Sequence, residues 1–282
     1  MNNQTIGIDL GGTNIRGGLV SEDNLSSILS QKINASGSVD EVVKELFSLV
    51  DKLIGPSVKA IGIGVPGLVD TEQGIVYDVV NIPSWKQVPL GQLLGDRYHL
   101  PVFINNDANC FALGEFYFGK GKGYDSLIGL TIGTGLGSGI IINKKLYPGR
   151  NGGAGEFGMI DYLDKYVEYY ASGQFFKNVY QTDGETVFKK AKEGDEEALG
   201  MYEEMGAHLG NAIKTILYAL DLELIILGGS VRHAYPFFSK TLWQSLQSFA
   251  FQNAVKNLRI EVSELQNSGM LGAAALYFDQ QK

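Results

Sequence analysis

Thiols and imidazoles are scarce in this chain of 282 residues: one cysteine, Cys110, and three histidines, His99, His208 and His233. A single thiol cannot close a disulfide within the chain, and a zinc site built from several thiolates is excluded. The histidines lie far apart and show no metal-ligand spacing, so no zinc is expected. Basic residues are outnumbered, 23 Lys and Arg against 31 Asp and Glu, which leaves a net charge of −8. Nonspecific nucleic-acid binding needs clustered Lys and Arg, so an acidic chain points away from it and towards a small-molecule partner. No apolar run approaches the length of a membrane span. The first residues, MNNQTIGIDL, lack the basic and apolar regions of a secretion signal, and the cytoplasm is the expected compartment. Pro- or Ser-rich linkers and low-complexity segments are also missing, so any two domains are expected to be closely docked.

What is present suits a folded protein: 44% hydrophobic and 19% charged residues, in a length that allows one large domain or two ordinary ones. IGIDLGGTNIRGGLV, from Ile6 to Val20, reads as two apolar strands joined by a Gly-rich turn. Apolar residues at Val39, Val42, Val43, Leu46, Phe47, Val50 and Leu53 mark one helix face. Ala60 to Val65 and Pro101 to Ile104 read as buried strands, and a helical pattern follows Asp107. The stretch from Asp70 to Leu90 reads as irregular. LIGLTIGTGLGSGIII, from Leu127 to Ile142, repeats the strand, glycine turn and strand of the opening segment, which suggests a duplicated domain. The alternative is that two unrelated hairpins share turn chemistry. Later come a long helix from about Glu196 to Leu220, an apolar strand ending at Gly228, a helix near Phe237 to Phe251, the strand RIEVSEL and a last helix from Gly269. Strands alternating with helices imply α/β layers.

Three glycine motifs invite a nucleotide. GIGVPG, Gly62 to Gly67, matches a dinucleotide fingerprint, but Pro66 removes a backbone donor and LVDTEQG does not open a helix. DLGGT (Asp9 to Thr13) and TIGTGLGSG (Thr131 to Gly139) fit phosphate better. Their glycines let the backbone approach closely, and Thr13, Thr131 and Thr134 add hydroxyl donors. Asp9, ending the first strand, is a candidate to hold Mg²⁺ through water. Tight hairpins alone would also explain these glycines, but two such loops at matching positions of a repeat suggest a polyphosphate clamp.

These loops, together with INNDANCFALGEF, the run through YPGRNGGAGEFG and the final GMLGAAALYF, resemble the ROK family of repressors and sugar kinases over nearly the whole chain. The resemblance implies an α/β fold of two RNase-H-like domains, as in actin and hexokinase, with ATP in an interdomain cleft. The expected domains are residues 1–107 with 269–282, and residues 108–268. It implies an ATP- and Mg²⁺-dependent kinase acting on a hexose hydroxyl, most simply position 6 of glucose, with an N-acetylhexosamine as the alternative substrate. A homodimer is expected. Asp107 matches the catalytic carboxylate, a role its chemistry also suits, since phosphoryl transfer needs a group to orient a hydroxyl and take its proton. Its other possible role is a helix N-cap. Asn105 and Asn106 offer amides to the sugar, Asn106 being the closer match, and Asn81, Glu156 and Glu168 match further sugar contacts. Gly11, Gly12, Thr13, Thr131, Thr134 and Gly135 would hold phosphates, and Gly228, Gly229 and Ser230 the nucleoside. The chain departs from the family where Met159 replaces a histidine and the Cys-rich zinc motif is missing. Tyr162, Tyr166, Tyr169 and Tyr170 would support Glu168 instead. Family regulators carry an N-terminal helix-turn-helix domain, and the first glycine loop begins too near Met1 to leave room for one.

Overall fold

In the computed structural model, which describes residues 3–22, 24–79 and 81–281, strands and helices alternate. Strands β1 (Gln4–Leu10), β2 (Asn14–Ser21) and β3 (Asn24–Lys32) precede helix α1 (Val39–Val50) and strand β4 (Val58–Val65). Three short strands come next, β5 (Leu68–Asp70), β6 (Ile75–Tyr77) and β7 (Gln87–Val88), then α2 (Leu90–Tyr98), β8 (Val102–Asn106) and α3 (Asp107–Phe118). Beyond them lie β9 (Leu127–Ile132), β10 (Leu136–Ile142) and β11 (Lys145–Leu146). A small hairpin, β12 (Asp161–Tyr162) and β13 (Lys165–Tyr166), leads into α4 (Val167–Ala171), α5 (Phe175–Tyr180), α6 (Gly184–Lys192) and α7 (Glu196–Leu220). The chain closes with β14 (Leu224–Gly228), α8 (Tyr235–Leu246), α9 (Gln252–Asn257), β15 (Arg259–Val262) and α10 (Ser268–Asp279).

The chain divides into two units. One comprises Met1–Asp125, Gly139–Ala154 and Glu264–Lys282; the other comprises Ser126–Ser138 and Gly155–Ser263. Two five-stranded sheets have the same plan, with orders β3-β2-β1-β4-β8 and β11-β10-β9-β14-β15. In the first, β1 pairs antiparallel with β2 and parallel with β4, and β4 pairs parallel with β8. In the second, β14 pairs parallel with both β9 and β15. The two glycine hairpins thus lie in different sheets at corresponding positions, as the sequence repeat suggests.

The first core forms because the middles of β1 and β4 are apolar and buried, as strands covered on both faces are. Ile6, Ile8, Leu10, Ile61 and Ile63 are buried with Val42, Val43, Leu46, Leu49 and Val50 of α1. Helix α1 starts at a capping box: the Ser38 hydroxyl accepts from the Glu41 N–H, and Glu41 accepts from the Ser38 N–H. This satisfies two backbone donors that the first helical turn leaves unpaired.

Helix α10 covers the sheet by backbone contact. A Cβ at Gly62 would stand 1.8 Å from the carbonyl oxygen of Ala273, and one at Gly7 would stand 2.1 Å from that of Met270. Where α10 crosses α3, a Cβ at Gly272 would meet the Cys110 carbonyl at 1.6 Å. Small residues at these points bring the last helix close to β1, β4 and α3.

Three differences from the sequence expectation stand out. The stretch from Asp70 to Leu90 holds part of a three-stranded sheet, β5-β6-β7, whose two- and three-residue strands are too short to show a period. Strand β3 has no fully buried residue and so lacks an apolar alternation. Helices α2, α5 and α6 are nine residues or fewer and present little periodic signal.

Candidate active site

The first cluster forms where β8 runs into α3. Asn105 is buried, and its Oδ1 accepts from the Asn106 N–H and from Asn109 Nδ2, both at 2.8 Å. Its amide oxygen is committed to these two bonds within the fold. Asn106 is the N-cap of α3: its Oδ1 accepts from the Ala108 N–H at 2.8 Å, and its Nδ2 donates to the Gly67 carbonyl at 3.1 Å. Asp107 is the first helical residue and is exposed; its Oδ1 also accepts from the Ala108 N–H, at 2.8 Å. The cap and the exposed carboxylate are therefore neighbouring residues that share the Ala108 N–H. A carboxylate in the first turn also faces the positive end of the helix dipole.

The second cluster is the turn between β1 and β2. The Gly11 N–H donates to the Asn14 carbonyl at 2.9 Å, which tightens the loop. Asn81 packs on it, since a Cβ at Gly12 would stand 2.5 Å from the Asn81 Cβ. Thr13 is exposed, and its hydroxyl accepts from Asn14 Nδ2 at 3.1 Å. Asp9 lies opposite Arg16 in the hairpin register. Burial pushes the Asp9 carboxyl pKa up, and the Arg16 charge partly opposes that shift. The N-terminal turn of α10 closes over it, since a Cβ at Gly269 would stand 3.3 Å from the Asp9 carboxyl. Arg16 also donates to Oδ1 of Asn267, just ahead of α10. Sequence reasoning passed over Arg16. The signal was there: a hairpin turning around Gly11 to Thr13 must set residue 16 opposite residue 9.

The remaining candidates gather around β9, β10 and α4. Thr131, near the end of β9, pairs in register with Gly228 at the end of β14, and its hydroxyl donates to the Gly137 carbonyl at 3.3 Å. Gly229 takes φ +75°, and a Cβ there would stand 2.3 Å from the Ile132 carbonyl, so only glycine turns the chain there. Ser230 and Thr134 are exposed. Glu156 sits between two glycines that press on β10: a Cβ at Gly155 would stand 2.7 Å from Ser138 Oγ, and one at Gly158 would stand 2.5 Å from the Leu136 carbonyl. The Glu156 residue is exposed, yet partial burial of its carboxyl end, and then the nearby Glu168 charge, push its pKa up. Glu168 Oε2 accepts from the Leu136 N–H at 2.7 Å, beside Gly135. Met159 is 57% exposed.

The tyrosines behind Glu168 form a network. Tyr162 lies 3.1 Å through its hydroxyl from Nδ1 of His208 and accepts from Asn211 Nδ2 at 2.9 Å, which ties the β12–β13 hairpin to α7. Tyr170 packs on both Tyr162 and His208, with ring centroids 5.8 and 5.0 Å away. Burial pulls the His208 pKa down, with Glu204 opposing.

These donors suit a nucleotide and one hydrated cation. In the first unit a Cβ at Gly11 would have only the Asn14 carbonyl close by, at 3.1 Å, next to the exposed Thr13; in the second, nothing lies within 4 Å of a Cβ at Gly133, next to the exposed Thr134. Among the described residues no group of three or more His, Cys, Asp or Glu side chains is placed to hold a metal. A single carboxylate such as Asp9 could hold only an ion that keeps most of its water, as Mg²⁺ does. No helix of the described residues is long and apolar enough to cross a membrane.

Two sheets of one plan, each led by a glycine hairpin, define the actin-like ATPase fold. Residues 5–280 match the model of the ROK family, and the chain belongs to that family. It is 30% identical to a glucokinase of Thermotoga maritima over 304 aligned positions, covering 96% of each chain. It superposes on the structure of a ROK family glucokinase of Streptomyces griseus in complex with glucose and AMPPNP, with TM-score 0.81, 29% identity, 99% of this chain and 100% of that one. It is also 28% identical to a xylose repressor of Caldicellulosiruptor bescii, covering 96% of this chain and 77% of the repressor.

Proposed function

We propose that this protein is an ATP-dependent hexose kinase that phosphorylates a sugar hydroxyl, in the first instance the 6-hydroxyl of glucose. The observation that carries the proposal is the division of labour at the head of α3. Asn106 is the N-cap of the helix, and the Asp107 carboxylate, which shares the Ala108 N–H with it, is exposed at the same junction. A carboxylate fixed at a strand-to-helix junction can orient an acceptor hydroxyl and take its proton as the oxygen attacks phosphorus. The glucokinase relatives support the same chemistry.

In this proposal Asn81, Asn106, Glu156 and Glu168 hold the sugar hydroxyls. Gly11, Gly12, Thr13, Thr131, Thr134 and Gly135 hold phosphate oxygens, and Gly228, Gly229 and Ser230 contact the nucleoside. Asp9 holds Mg²⁺ through water. ATP supplies the γ-phosphoryl group, and Mg²⁺ neutralises charge on the phosphates.

The test is ADP release measured against a panel of glucose, mannose, N-acetylmannosamine and N-acetylglucosamine. Sugar-dependent turnover is expected, with glucose giving the highest kcat/KM. Preference for an N-acetylhexosamine would keep the kinase and change the substrate. Sugar binding by calorimetry with no ADP release on any sugar would overturn the proposal in favour of a sugar-responsive regulator, the class to which the xylose repressor belongs.

A further inference from the structure

Helix α4 and the two residues after it grip the loop between β9 and β10 at three points. Glu168 Oε2 accepts from the Leu136 N–H at 2.7 Å. The Ser172 hydroxyl donates to the Thr134 carbonyl at 3.0 Å. The Gly173 N–H donates to the Gly133 carbonyl at 2.7 Å. Contact is close enough that a Cβ at Gly135 would stand 2.5 Å from Glu168 Oε2, and one at Gly173 would stand 2.6 Å from the Gly133 carbonyl. Ser172 is wholly buried, and its Oγ also accepts from the Gln174 N–H at 3.2 Å. Two of these three bonds come from side chains, and one of those side chains is a carboxylate with a second oxygen.

We propose that this grip couples the sugar to the nucleotide: Glu168 holds the phosphate loop through Oε2 and a sugar hydroxyl through Oε1, and Ser172 is a positioning residue for that loop. The proposal rests on the kinase function above. Its physical basis is conformational. A glutamate side chain with one oxygen bonded keeps residual rotamer freedom, and a second bond removes it. A sugar hydroxyl on Oε1 therefore fixes Oε2, and Oε2 fixes the Leu136 N–H. The Ser172 and Gly173 bonds keep the rest of the loop from absorbing the change. A loop already ordered by sugar loses less freedom when it closes on phosphate, so each ligand binds more tightly in the presence of the other. Linkage requires the same factor in both directions.

The experiment titrates AMPPNP with Mg²⁺ into the full chain by calorimetry, with and without saturating glucose, or the best substrate of the panel if that differs. For the parent chain, sugar should tighten AMPPNP binding by about fivefold or more, within the usual range of coupling between sites. Ser172→Ala should keep sugar affinity, weaken AMPPNP and reduce the coupling factor. Glu168→Ala should weaken both ligands and bring the factor close to one. Glu168→Gln, whose amide oxygen can still accept from Leu136, should recover part of the AMPPNP affinity. A further readout needs no variant: sugar alone should slow amide hydrogen exchange at Leu136. A parent chain that turns over sugar but shows no coupling and unchanged exchange would overturn the inference and leave the kinase standing. A parent chain with no turnover on any sugar would overturn both.

Discussion

Replacing Asp107 by Asn tests the proposed chemistry at the head of α3 while leaving the Asn106 cap in place. The Asn106 side chain caps α3 and bonds Gly67, while Asp107 occupies the first helical position. In Asp107→Asn the cap is untouched, and the new amide oxygen can still accept from the Ala108 N–H. Losing the favourable charge at the helix N-terminus costs about 0.3–1 kcal/mol. That amounts to a fall in Tm of roughly 4 °C at most for a chain of this size. The loss to catalysis is of another order. Removing a general base costs about 10²–10⁴-fold in rate, or roughly 3–5 kcal/mol at about 1.36 kcal/mol per tenfold. Asn106→Ala is the counterpart. It removes the cap at a cost of about 1 kcal/mol, or roughly 2–4 °C in Tm, and it removes a sugar contact, so KM for sugar should rise. The assay pairs kcat with Tm for each variant. An Asp107→Asn protein that melts like the parent and turns over within a few-fold of it would remove Asp107 from the mechanism.

Three other outcomes are expected. Gly272→Ala should destabilise the fold by at least the 1–3 kcal/mol typical of overpacking, since its methyl would lie 1.6 Å from the Cys110 carbonyl; a thermal melt within 1 °C or so of the parent would contradict the α3–α10 contact. His208 is held neutral with its pKa below the ordinary value of 6.5. The unfolded chain therefore binds the proton first, and the stability from His208 is present above about pH 6.5 and lost as pH falls through the depressed value. Denaturant melts between pH 8 and 5 should show that loss in the parent and not in His208→Gln. Glu156 has a raised pKa; in the proposed role it accepts from sugar hydroxyls more strongly when ionised, so KM for sugar should climb as pH falls towards that value. Glu156→Gln should flatten the climb, and an equally steep rise in that variant would assign it to another group.

How much the sequence revealed depended on element length and on where each element packs. Helix α7 was legible from Glu196 to Leu220 because Asp195 caps it and its buried positions, from Ala198 through Leu209 to Leu217, keep a helical spacing. The β1–β2 and β9–β10 hairpins were legible because apolar strands flank glycine turns. Strand β3 was not, since it is an edge strand of polar residues whose partner alone makes it a strand. At the site, the sequence NND permits any of its three residues to cap the helix. The choice of Asn106 is made by where β8 stops pairing with β4, at Val65 opposite Asn106. Ser172 was invisible for a similar reason, because nothing in YYASG announces a hydroxyl aimed at the Thr134 carbonyl.

The glycine motifs show why pattern alone misleads and what corrects it. GIGVPG has the spacing of a dinucleotide fingerprint, yet each of its glycines answers to packing. A Cβ at Gly62 would strike the Ala273 carbonyl of α10 at 1.8 Å, and one at Gly64 would press on Cys110 Sγ of α3 at 3.1 Å. Gly67, at φ +141°, turns the chain from β4 into β5 with room for no side chain beside the Tyr77 carbonyl at 2.9 Å. Because β5 is a strand, no helix N-terminus is offered there to a pyrophosphate. The β1–β2 turn differs in kind. No packing neighbour crowds Gly11 apart from the Asn14 carbonyl, and Gly12 is crowded by Asn81, itself a candidate sugar contact. Glycines that packing explains need no ligand. Gly11, which packing leaves largely open, stays available for the phosphate contact proposed above.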